Sequence, residues 1–534
     1  MTDTPTDLRP SLTTYLAQRV AAFQDGFRHN LAVLGPVGSG KSSLLQHALR
    51  TAHLTLPTMV CSLQQESLQG FLRRLITAIL RTAVEAPAEA SIETLLQQAQ
   101  SRIPLTAAAI QRSAVLNSPA HLHADAFVQI LDLIPLLHQE VRQPCVLVLD
   151  EFLFLEDLGL SHTFHEVGKR VMTWPFVLFL MTSSSSVRAR TILRERLHLL
   201  FGQFELITLG APDTSVALSW MQQELGCPVR SSELLRFMLH WIGASPWYLS
   251  VLVKRLNELA RLKRIRQVSE ATLMEAAWDV LGSPDGALYH WCTTSLERLA
   301  HQRHGLIARD ALLAIAKGAR TTSAIAQHGG KRSGLSCALE LLVQQDLVQR
   351  KGTCWVIPDQ LLTCWLAAVW DIRARGMSLS SGAAREHFER TLADIWAKWL
   401  QVTTQPLAQR VHHLLSLFRN ETVSLDHKTG RLPTFQELRV QPSPDRGETY
   451  LVADGQERRW CCLIHERRLE ESAIAAFEKF CRMQSPKPAR KVVVAREGLD
   501  GNATLCAKAA NMWVWEPDDV NLLFLLYGQP PLDR

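Results

Sequence analysis

The sequence contains no long uninterrupted apolar run. Residues 176–181 form one of the longest, whereas a transmembrane helix needs about 20 apolar residues. The first five residues also lack the basic and then apolar order of a secretory signal peptide. We therefore expect a cytoplasmic protein with no membrane partner.

The cysteines are scattered, and no C-x-x-C pair occurs among the eleven of them. The adjacent pair, Cys461 and Cys462, lies in an apolar run that is typical of a strand. This pattern supports neither a zinc site nor a disulfide framework. A reducing compartment is the simplest explanation, in agreement with a cytoplasmic location.

Neither charge sign dominates, since the net charge is only +6 in 534 residues, but the positive charge is clustered. Residues 303–352 carry eight basic and three acidic side chains, and residues 254–266 carry six basic and one acidic. Clustered positive charge favours nucleic acid as a partner, and we expect DNA. For residues 254–266 a solvated helix face is an equally good interpretation.

The length of the chain predicts three or four domains.

Residues 35–42 match the phosphate-loop pattern G-x-x-x-x-G-K-[ST]. An apolar strand is predicted before them at residues 30–34, and a helix follows at 43–50. Backbone N–H groups of such a loop surround the phosphates, and the lysine reaches them as well. We expect ATP to be bound by Gly35, Pro36, Val37, Gly38, Ser39, Gly40, Lys41, Ser42 and Ser43.

A second acidic motif follows a buried strand predicted at residues 146–149. Asp150 and Glu151 emerge where that strand ends, beside the expected phosphates. We expect Ser42 and Asp150 to hold Mg²⁺, with Asp150 acting through water, and Glu151 to polarise the attacking water. The site is therefore predicted to hydrolyse ATP.

A serine-rich tip follows the strand predicted at residues 176–181. A polar residue there can contact the γ-phosphate and the water, and Thr182 and Ser183 are the catalytic candidates, although such a tip is also ordinary loop composition. Four arginines crowd the next stretch, where one could serve as an arginine finger across a subunit interface while the others are solvated or touch nucleic acid. They are Arg188, Arg190, Arg194 and Arg196.

The order of apolar and amphipathic segments predicts an α/β fold for the first part of the chain. Candidate strands are 31–34, 58–62, 146–149, 176–181 and 204–209, and a helical insertion is predicted at about 84–122. From residue 211 the pattern becomes helical. The predicted domains are a P-loop ATPase core with a parallel sheet (1–210), a helical lid (211–300), an α+β winged helix (301–375) and an α/β nuclease-like domain (383–534).

The chain resembles the archaeal-type ATPases of the AAA+/STAND group. The resemblance rests on residues 35–42, 149–152 and 200–209, and on a glycine-proline-aromatic stretch at 243–249. It implies an ATPase core with a helical lid and extends over nearly the whole chain. Two departures argue against fast hydrolysis and leave ATP binding intact. Gln203 stands where the family usually has arginine, and residues 243–249 contain no arginine.

Residues 306–357 predict three helices and a hairpin, the order of a winged helix. Its third helix, predicted at 333–344, would enter the major groove of DNA. The candidate DNA-binding residues are Lys331, Arg332, Ser333, Arg350 and Lys351, of which the last two suit phosphate contacts in the wing. Such a unit can instead dock a protein or form a dimer, and that alternative stays open.

The last segment resembles the second half of a restriction-endonuclease-like fold. That family cleaves nucleic acid with an acidic residue on one strand and an E-x-K motif on the next. The nearest match here is Glu466 with Arg468 in place of lysine, and Asp454 is the candidate for the other ligand. Because arginine does not release its proton, the resemblance implies an inactive nuclease fold. An active nuclease and an unrelated α/β domain are the alternatives.

Together these features predict an ATP-dependent molecular switch that acts on or at DNA. ATP and Mg²⁺ are the expected cofactors, and a homo-oligomer or a protein partner through the winged helix or the last domain is possible. One alternative is a nucleotide-gated DNA-binding regulator without significant hydrolysis. The other is an ATP-dependent nuclease of a mobile element or defence system.

Overall fold

The computed structural model describes residues 8–52, 56–87, 89–117, 124–195, 204–329, 333–374, 378, 382–425, 428–442, 447–456 and 458–532. The chain forms two compact units. The first contains Met1–Val216 together with two short segments from farther along the chain, Ser245–Trp247 and Gln344–Asp346. The second contains Ala217–Ala244, Tyr248–Val343 and Leu347–Arg534.

The first unit alternates strands and helices. Its elements are α1 (Pro10–Gln24), β1 (Asn30–Leu34), α2 (Lys41–Thr51), β2 (Thr58–Ser62), α3 (Leu68–Arg81), α4 (Ile92–Ala99), α5 (Pro104–Arg112), α6 (Ala114–Asn117), α7 (Ala124–Leu131), α8 (Leu133–Val141), β3 (Cys145–Asp150), α9 (Thr163–Thr173), β4 (Val177–Ser183), α10 (Ser186–Glu195) and β5 (Phe204–Thr208). A 3₁₀ helix, Phe152–Leu158, follows β3.

The five strands of the first unit form one parallel sheet in the order β2-β3-β4-β1-β5. Strands β1 and β4 are buried along their whole length, which explains why they read as continuous apolar runs. All five strands predicted from the sequence are confirmed; β2 has the predicted bounds, and the ends of the other four differ by at most two residues. The carboxyl ends of the strands consequently meet at one edge of the sheet.

Helices cover both faces of this sheet. On one face, Leu31 and Val33 pack with α1 and α2, and on the other, Ala32 and Leu34 pack with the larger cluster that includes α3 to α9. The helical insertion predicted at 84–122 is confirmed by α4, α5 and α6. It belongs to the larger cluster, because Leu95 of α4 and Ala107 and Ile110 of α5 are buried there.

From Thr214 onward the chain, which belongs mostly to the second unit, begins with helices and continues as mixed structure. Its elements are α11 (Thr214–Glu224), α12 (Ser232–Ile242), α13 (Pro246–Lys263), α14 (Glu270–Ala277), α15 (Ala287–Ala300), α16 (Gly305–Ala316), α17 (Thr322–Gly329), α18 (Leu335–Gln344), β6 (Gln349–Lys351), β7 (Cys354–Val356), α19 (Gln360–Trp365), α20 (Asp371–Ala374), α21 (Gly382–Thr403), α22 (Leu407–Ser416), β8 (Glu421–Leu425), β9 (Lys428–Leu432), β10 (Phe435–Pro442), β11 (Glu448–Gly455), β12 (Arg459–His465), α23 (Glu471–Met483), β13 (Arg490–Ala495), α24 (Gly501–Ala509), β14 (Trp513–Trp515) and α25 (Pro517–Leu526). Two π-helical stretches, Trp278–Gly282 and Leu366–Trp370, extend α14 and α19.

The three helices and the hairpin predicted at 306–357 are present as α16, α17, α18, β6 and β7. The tip of the β6–β7 hairpin is bonded to strand β8. The Thr353 N–H donates to the Thr422 carbonyl oxygen (2.8 Å), and the Thr422 N–H donates to Thr353 Oγ1 (3.0 Å). Cys354 and Val356 of β7 are buried in the core that also contains β8. The hairpin is therefore packed against the last part of the chain, an arrangement that the sequence pattern did not reveal.

The second sheet of five strands has the order β10-β11-β12-β13-β14. Strands β10, β11 and β12 are antiparallel neighbours, and β12, β13 and β14 are parallel. Helices α23 and α24 cover one face, and α22 and α25 cover the other. The sequence analysis predicted an α/β domain for residues 383–534 and did not identify α22, β8, β9 or β10 within it. Within the described residues, no helix combines the length and the hydropathy needed to span a bilayer.

We expect Gly352→Ala to destabilise the second unit more than Gly318→Ala does. Both glycines have left-handed backbones, with φ of +73° and +97°, so the conformational cost of a Cβ is common to both. A Cβ at Gly352 would lie 2.2 Å from the Thr422 carbonyl oxygen, whereas nothing lies within 4 Å at Gly318. The additional loss in the free energy of unfolding should be about 1–3 kcal/mol, measured by urea denaturation. Equal losses would show that the hairpin tip does not press on β8.

Candidate active site at the carboxyl edge of the first sheet

The glycine-rich loop connects β1 to α2 at the carboxyl edge of the sheet. Gly38 and Gly40 have left-handed φ angles of +76° and +85°, which glycine adopts without steric cost. Helix α2 starts at Lys41, directly after the loop. The turn therefore places a helix N-terminus, with its partial positive charge and unsatisfied N–H groups, where an anion can bind.

Lys41 lies inside the loop and is only 5% exposed. Its ammonium donates to the carbonyl oxygens of Gly35 (3.0 Å) and Pro36 (3.2 Å) and forms an ion pair with Glu151 Oε1 (3.2 Å). These three acceptors place the charge at the loop, beside the acidic end of β3. The same ammonium can reach phosphate oxygens bound by the loop.

The Asp150 carboxylate accepts hydrogen bonds from hydroxyl groups on three elements, α2, β2 and β4. Ser42 Oγ lies 3.0 and 2.9 Å from its two oxygens, Ser62 Oγ lies 3.3 Å from Oδ2, and Thr182 Oγ1 lies 2.5 Å from Oδ1. Such a cluster of oxygens suits Mg²⁺, which is commonly held by one or two carboxylates together with waters and phosphates. The described residues contain no cluster of three or more His, Cys, Asp or Glu side chains able to hold a metal. A metal at Asp150 would therefore depend on hydroxyl, water and phosphate oxygens.

Glu151 has a left-handed backbone, with φ of +59°, which is uncommon for a residue with a side chain. Its N–H donates to Thr182 Oγ1 (2.9 Å). Its carboxylate oxygen Oε2 accepts the N–H (2.7 Å) and the hydroxyl (2.9 Å) of Ser184. Glu151 is thus held at three points, and its other oxygen, Oε1, faces Lys41.

Of the two candidates at the end of β4, the structure brings only Thr182 to the acidic pair. Ser183 is buried, and its hydroxyl donates to the Ser185 carbonyl oxygen (3.2 Å) within the same turn. The sequence analysis missed Ser62 and Ser184. Ser62 could have been found as the polar end of β2, but nothing in a run of four serines distinguishes Ser184.

Two further segments contact the glycine loop. Ser245 Oγ (3.1 Å) and the Trp247 N–H (3.2 Å) both donate to the Gly38 carbonyl oxygen, so the glycine-proline-aromatic stretch does meet the loop. The Arg9 guanidinium donates to the carbonyl oxygens of Ser39 and Gly210, each at 2.7 Å. Arg9 was not recognised in the sequence because it lies outside any motif.

The described arginines after β4 have partners of their own. Arg188 forms an ion pair with Glu156, and Arg190 donates to Thr208 Oγ1 at 2.5 Å. Arg194 is exposed and pairs with the adjacent glutamate, its neighbour in α10. Arg196 lies outside the described residues. An arginine finger therefore stays a prediction.

The DNA-binding candidates are only partly described, because Lys331 and Arg332 lie outside the described residues. Ser333 and Arg350 are exposed, and Lys351 is half-buried. The Arg350 guanidinium donates to the Gly352 carbonyl oxygen (3.0 Å) and lies over the Trp355 ring, 5.5 Å from its centroid. These contacts orient Arg350 within the hairpin.

The exposed positions of α18 carry little positive charge. The exposed side chains of this helix are Ser336, Cys337, Glu340 and Gln344.

Residues 254–266, the other cluster of basic residues and hence the rival segment for DNA binding, form several ion pairs. Arg255 pairs with Asp279, and Lys263 pairs with Glu275. Part of that segment is therefore neutralised within the second unit.

The nuclease candidates do not converge. Asp454 belongs to β11 and faces Arg459 at the amino end of β12, whereas Glu466 directly follows the carboxyl end of β12. The hydrogen bond and charge of Arg459, with a contribution from Arg439, hold the pKa of Asp454 below its usual value. Glu466 accepts the N–H of Leu407 at the start of α22 (2.6 Å). Both carboxylates thus have structural partners at opposite ends of one strand, and Arg468 is exposed.

The parallel sheet, the glycine loop between β1 and α2 and the acidic end of β3 fit the P-loop NTPase fold. No family model and no curated protein matches the sequence. Among solved structures, the chain is similar to the Walker-type ATPase PABY2304 of Pyrococcus abyssi, with 15% identity, 66% of this chain and 95% of that one covered, and a TM-score of 0.48.

Two proteins of Aeropyrum pernix, ORC2 and ORC1, are also similar. ORC2, solved as ADPNP–ADP complexes, has 15% identity, covers 69% of this chain and 95% of its own, and gives a TM-score of 0.43. ORC1, solved in complex with DNA, has 14% identity, covers 70% and 97%, and gives a TM-score of 0.36. All three TM-scores lie below 0.5, so these likenesses do not establish the activity of this chain.

Proposed function

We propose that this chain binds and hydrolyses ATP with Mg²⁺ and acts as a molecular switch on or at DNA. The observation that carries the proposal is the meeting of Lys41, Ser42, Asp150 and Glu151 at one edge of a parallel sheet. In this proposal Lys41 is the phosphate-binding cation and lies 3.2 Å from the base, Glu151, while Ser42 and Asp150, 2.9 Å apart, form the metal site.

Each residue has a separate role in this proposal. Lys41 neutralises charge on the β- and γ-phosphates, and the loop amides surround them. Ser42 and Asp150 hold Mg²⁺, and Thr182 orients both acidic residues through its hydroxyl. Glu151 polarises the attacking water with Oε1, the oxygen that lies on the Lys41 side.

We expect Lys41→Ala to weaken ATP binding about 10- to 150-fold, because a hydrogen bond to a charged group contributes about 1.5–3 kcal/mol. Isothermal titration calorimetry with ATP and Mg²⁺ measures the change. Lys254→Ala, which removes an exposed lysine of α13, is the matched control and should bind as the unaltered chain does. Unchanged affinity in Lys41→Ala would refute the nucleotide site.

We expect Glu151→Gln to retain ATP affinity and to lose turnover by about 10²–10⁴-fold, because the amide keeps the shape of the side chain and loses its basicity. Steady-state phosphate release measures turnover. Glu93→Gln, on the exposed side of α4, makes the same chemical change outside the site and should leave the rate unaltered. Equal turnover in Glu151→Gln and the unaltered chain would place the base elsewhere.

The regulator without hydrolysis is the first alternative, and Gln203 with the lack of arginine in residues 243–249 favours it. Under that alternative the unaltered chain binds ATP and Lys41→Ala weakens this binding, but the unaltered chain releases no phosphate, with or without DNA.

The nuclease is the second alternative, and the separation of Asp454 and Glu466 along β12 is unfavourable to it. Nicking of plasmid DNA with Mg²⁺ or Mn²⁺ would support it.

DNA as a partner is supported by the excess of basic residues between 303 and 352. Two observations favour the alternative in which this unit docks a protein. The hairpin tip is already bonded to β8 through Thr353 and Thr422, and the exposed positions of α18 include Glu340 and no basic residue. A measurement of DNA affinity against salt decides between the two.

We expect changing Lys331, Arg332, Arg350 and Lys351 together to alanine to weaken duplex DNA binding for unrelated sequences. Because each phosphate contact contributes about −0.9 to the slope of log affinity against log salt, the slope should flatten by up to roughly 3–4 units. The control changes four exposed basic residues of the rival segment, Lys254, Arg261, Arg264 and Arg266. If only the control flattens the slope, the end of α13 is the DNA site and the winged helix docks a protein.

A further inference from the structure

The serine run, residues 183–186, begins at the last residue of β4 and makes contacts in two directions. Toward the acidic pair, the N–H and hydroxyl of Ser184 hold Glu151 Oε2. Away from it, Ser185 Oγ donates to the Gln344 carbonyl oxygen (2.8 Å), and the Ser186 N–H donates to the Asp346 carboxylate. Three consecutive serines therefore connect the expected catalytic base to a segment about 160 residues away in sequence.

The segment that they contact, Gln344–Asp346, packs with the first unit. Its Asp346 lies at the start of α10 and accepts N–H groups of Ser186 and Val187. The first N–H groups of a helix have no partner inside the helix, and an acidic residue at this position both satisfies them and stabilises the positive end of the helix dipole. Asp346 thus provides the cap of α10 from a distant part of the chain.

Asp346 is half-buried and has an uncommon backbone conformation. Burial raises the pKa of its carboxyl, while the N–H groups of Ser186 and Val187 and the charge of Arg190 act in the opposite direction. Its backbone is left-handed, with φ of +55°, so the surrounding contacts must hold it in place. The residue at the other end of the connection, Glu151, also has a left-handed backbone.

We propose that Asp346 is a remote positioning residue for Glu151: by capping α10 it holds the serine run, and Ser184 in that run orients the Glu151 carboxylate. This inference rests on the proposed ATPase function. When Lys41 binds phosphate, Glu151 Oε1 is released toward the water, and Oε2 stays bonded to Ser184. Hydrolysis then depends on whether Gln344–Asp346 is docked, whereas ATP binding does not.

The test compares Asp346→Gly with Asp346→Asn. Glycine removes the carboxylate and accepts the left-handed backbone without strain. Asparagine keeps an acceptor oxygen, is as good a helix cap as aspartate, and tolerates the same backbone. We expect Asp346→Gly to lower kcat about tenfold with the KM and the Kd for ATP unchanged within twofold, and Asp346→Asn to retain most of the activity.

A second variant, Ser184→Ala, tests the connection itself, and Ser184→Thr keeps the hydroxyl. Because both residues act through one chain of contacts, the double variant Ser184→Ala/Asp346→Gly should be no slower than the slower single variant. Amide hydrogen exchange offers a readout independent of turnover, and residues 184–187 should exchange faster in Asp346→Gly than in the unaltered chain.

The outcomes separate the two proposals. If the unaltered chain hydrolyses ATP, Glu151→Gln abolishes turnover, and Asp346→Gly keeps the normal kcat and normal exchange at 184–187, the positioning role is refuted and the ATPase function stands. A higher kcat in Asp346→Gly, or an equal loss in Asp346→Asn, also refutes it. Absence of turnover in the unaltered chain overturns the hydrolytic function and the positioning role together.

Discussion

The parallel alignment of the first sheet is the constraint on which the candidate site depends. Because β1, β2, β3 and β4 run in the same direction, the residues that follow them meet at one edge. Asp150 at the end of β3 can then accept hydroxyl groups from Ser42, Ser62 and Thr182, which come from three different positions in the sequence. An antiparallel neighbour would have placed one of these hydroxyls at the opposite edge.

The site also draws on segments from far along the chain. Ser245 and Trp247 bond to the Gly38 carbonyl oxygen, and Asp346 caps the helix that follows the serine run. Such contacts can make the geometry of the phosphate loop and of Glu151 depend on segments that contain no catalytic group. The switch function proposed above would use such contacts to couple the nucleotide site to remote elements.

In the second unit, the charged residues that suggested chemistry have structural partners. Asp454 is bonded to two arginines, and Glu466 caps α22. The tip of the hairpin expected to contact DNA is hydrogen-bonded to β8, because the Thr353 N–H donates to the Thr422 carbonyl oxygen. These arrangements satisfy buried or half-buried polar groups. They stabilise the last sheet and its surroundings, and they reduce the set of residues available for a nuclease.

Local residue patterns were sufficient to predict the first sheet and the glycine loop. Continuous apolar runs identified the five strands of the first sheet, and the glycine spacing identified the phosphate loop, because buried parallel strands and left-handed turns restrict residue type directly. The folded structure alone shows the contacts of Ser184, Arg9 and Asp346, because these contacts join segments that are distant in sequence. It also decided that Asp454 and Glu466 lie apart, because their separation follows from the strand register, which residue spacing does not reveal.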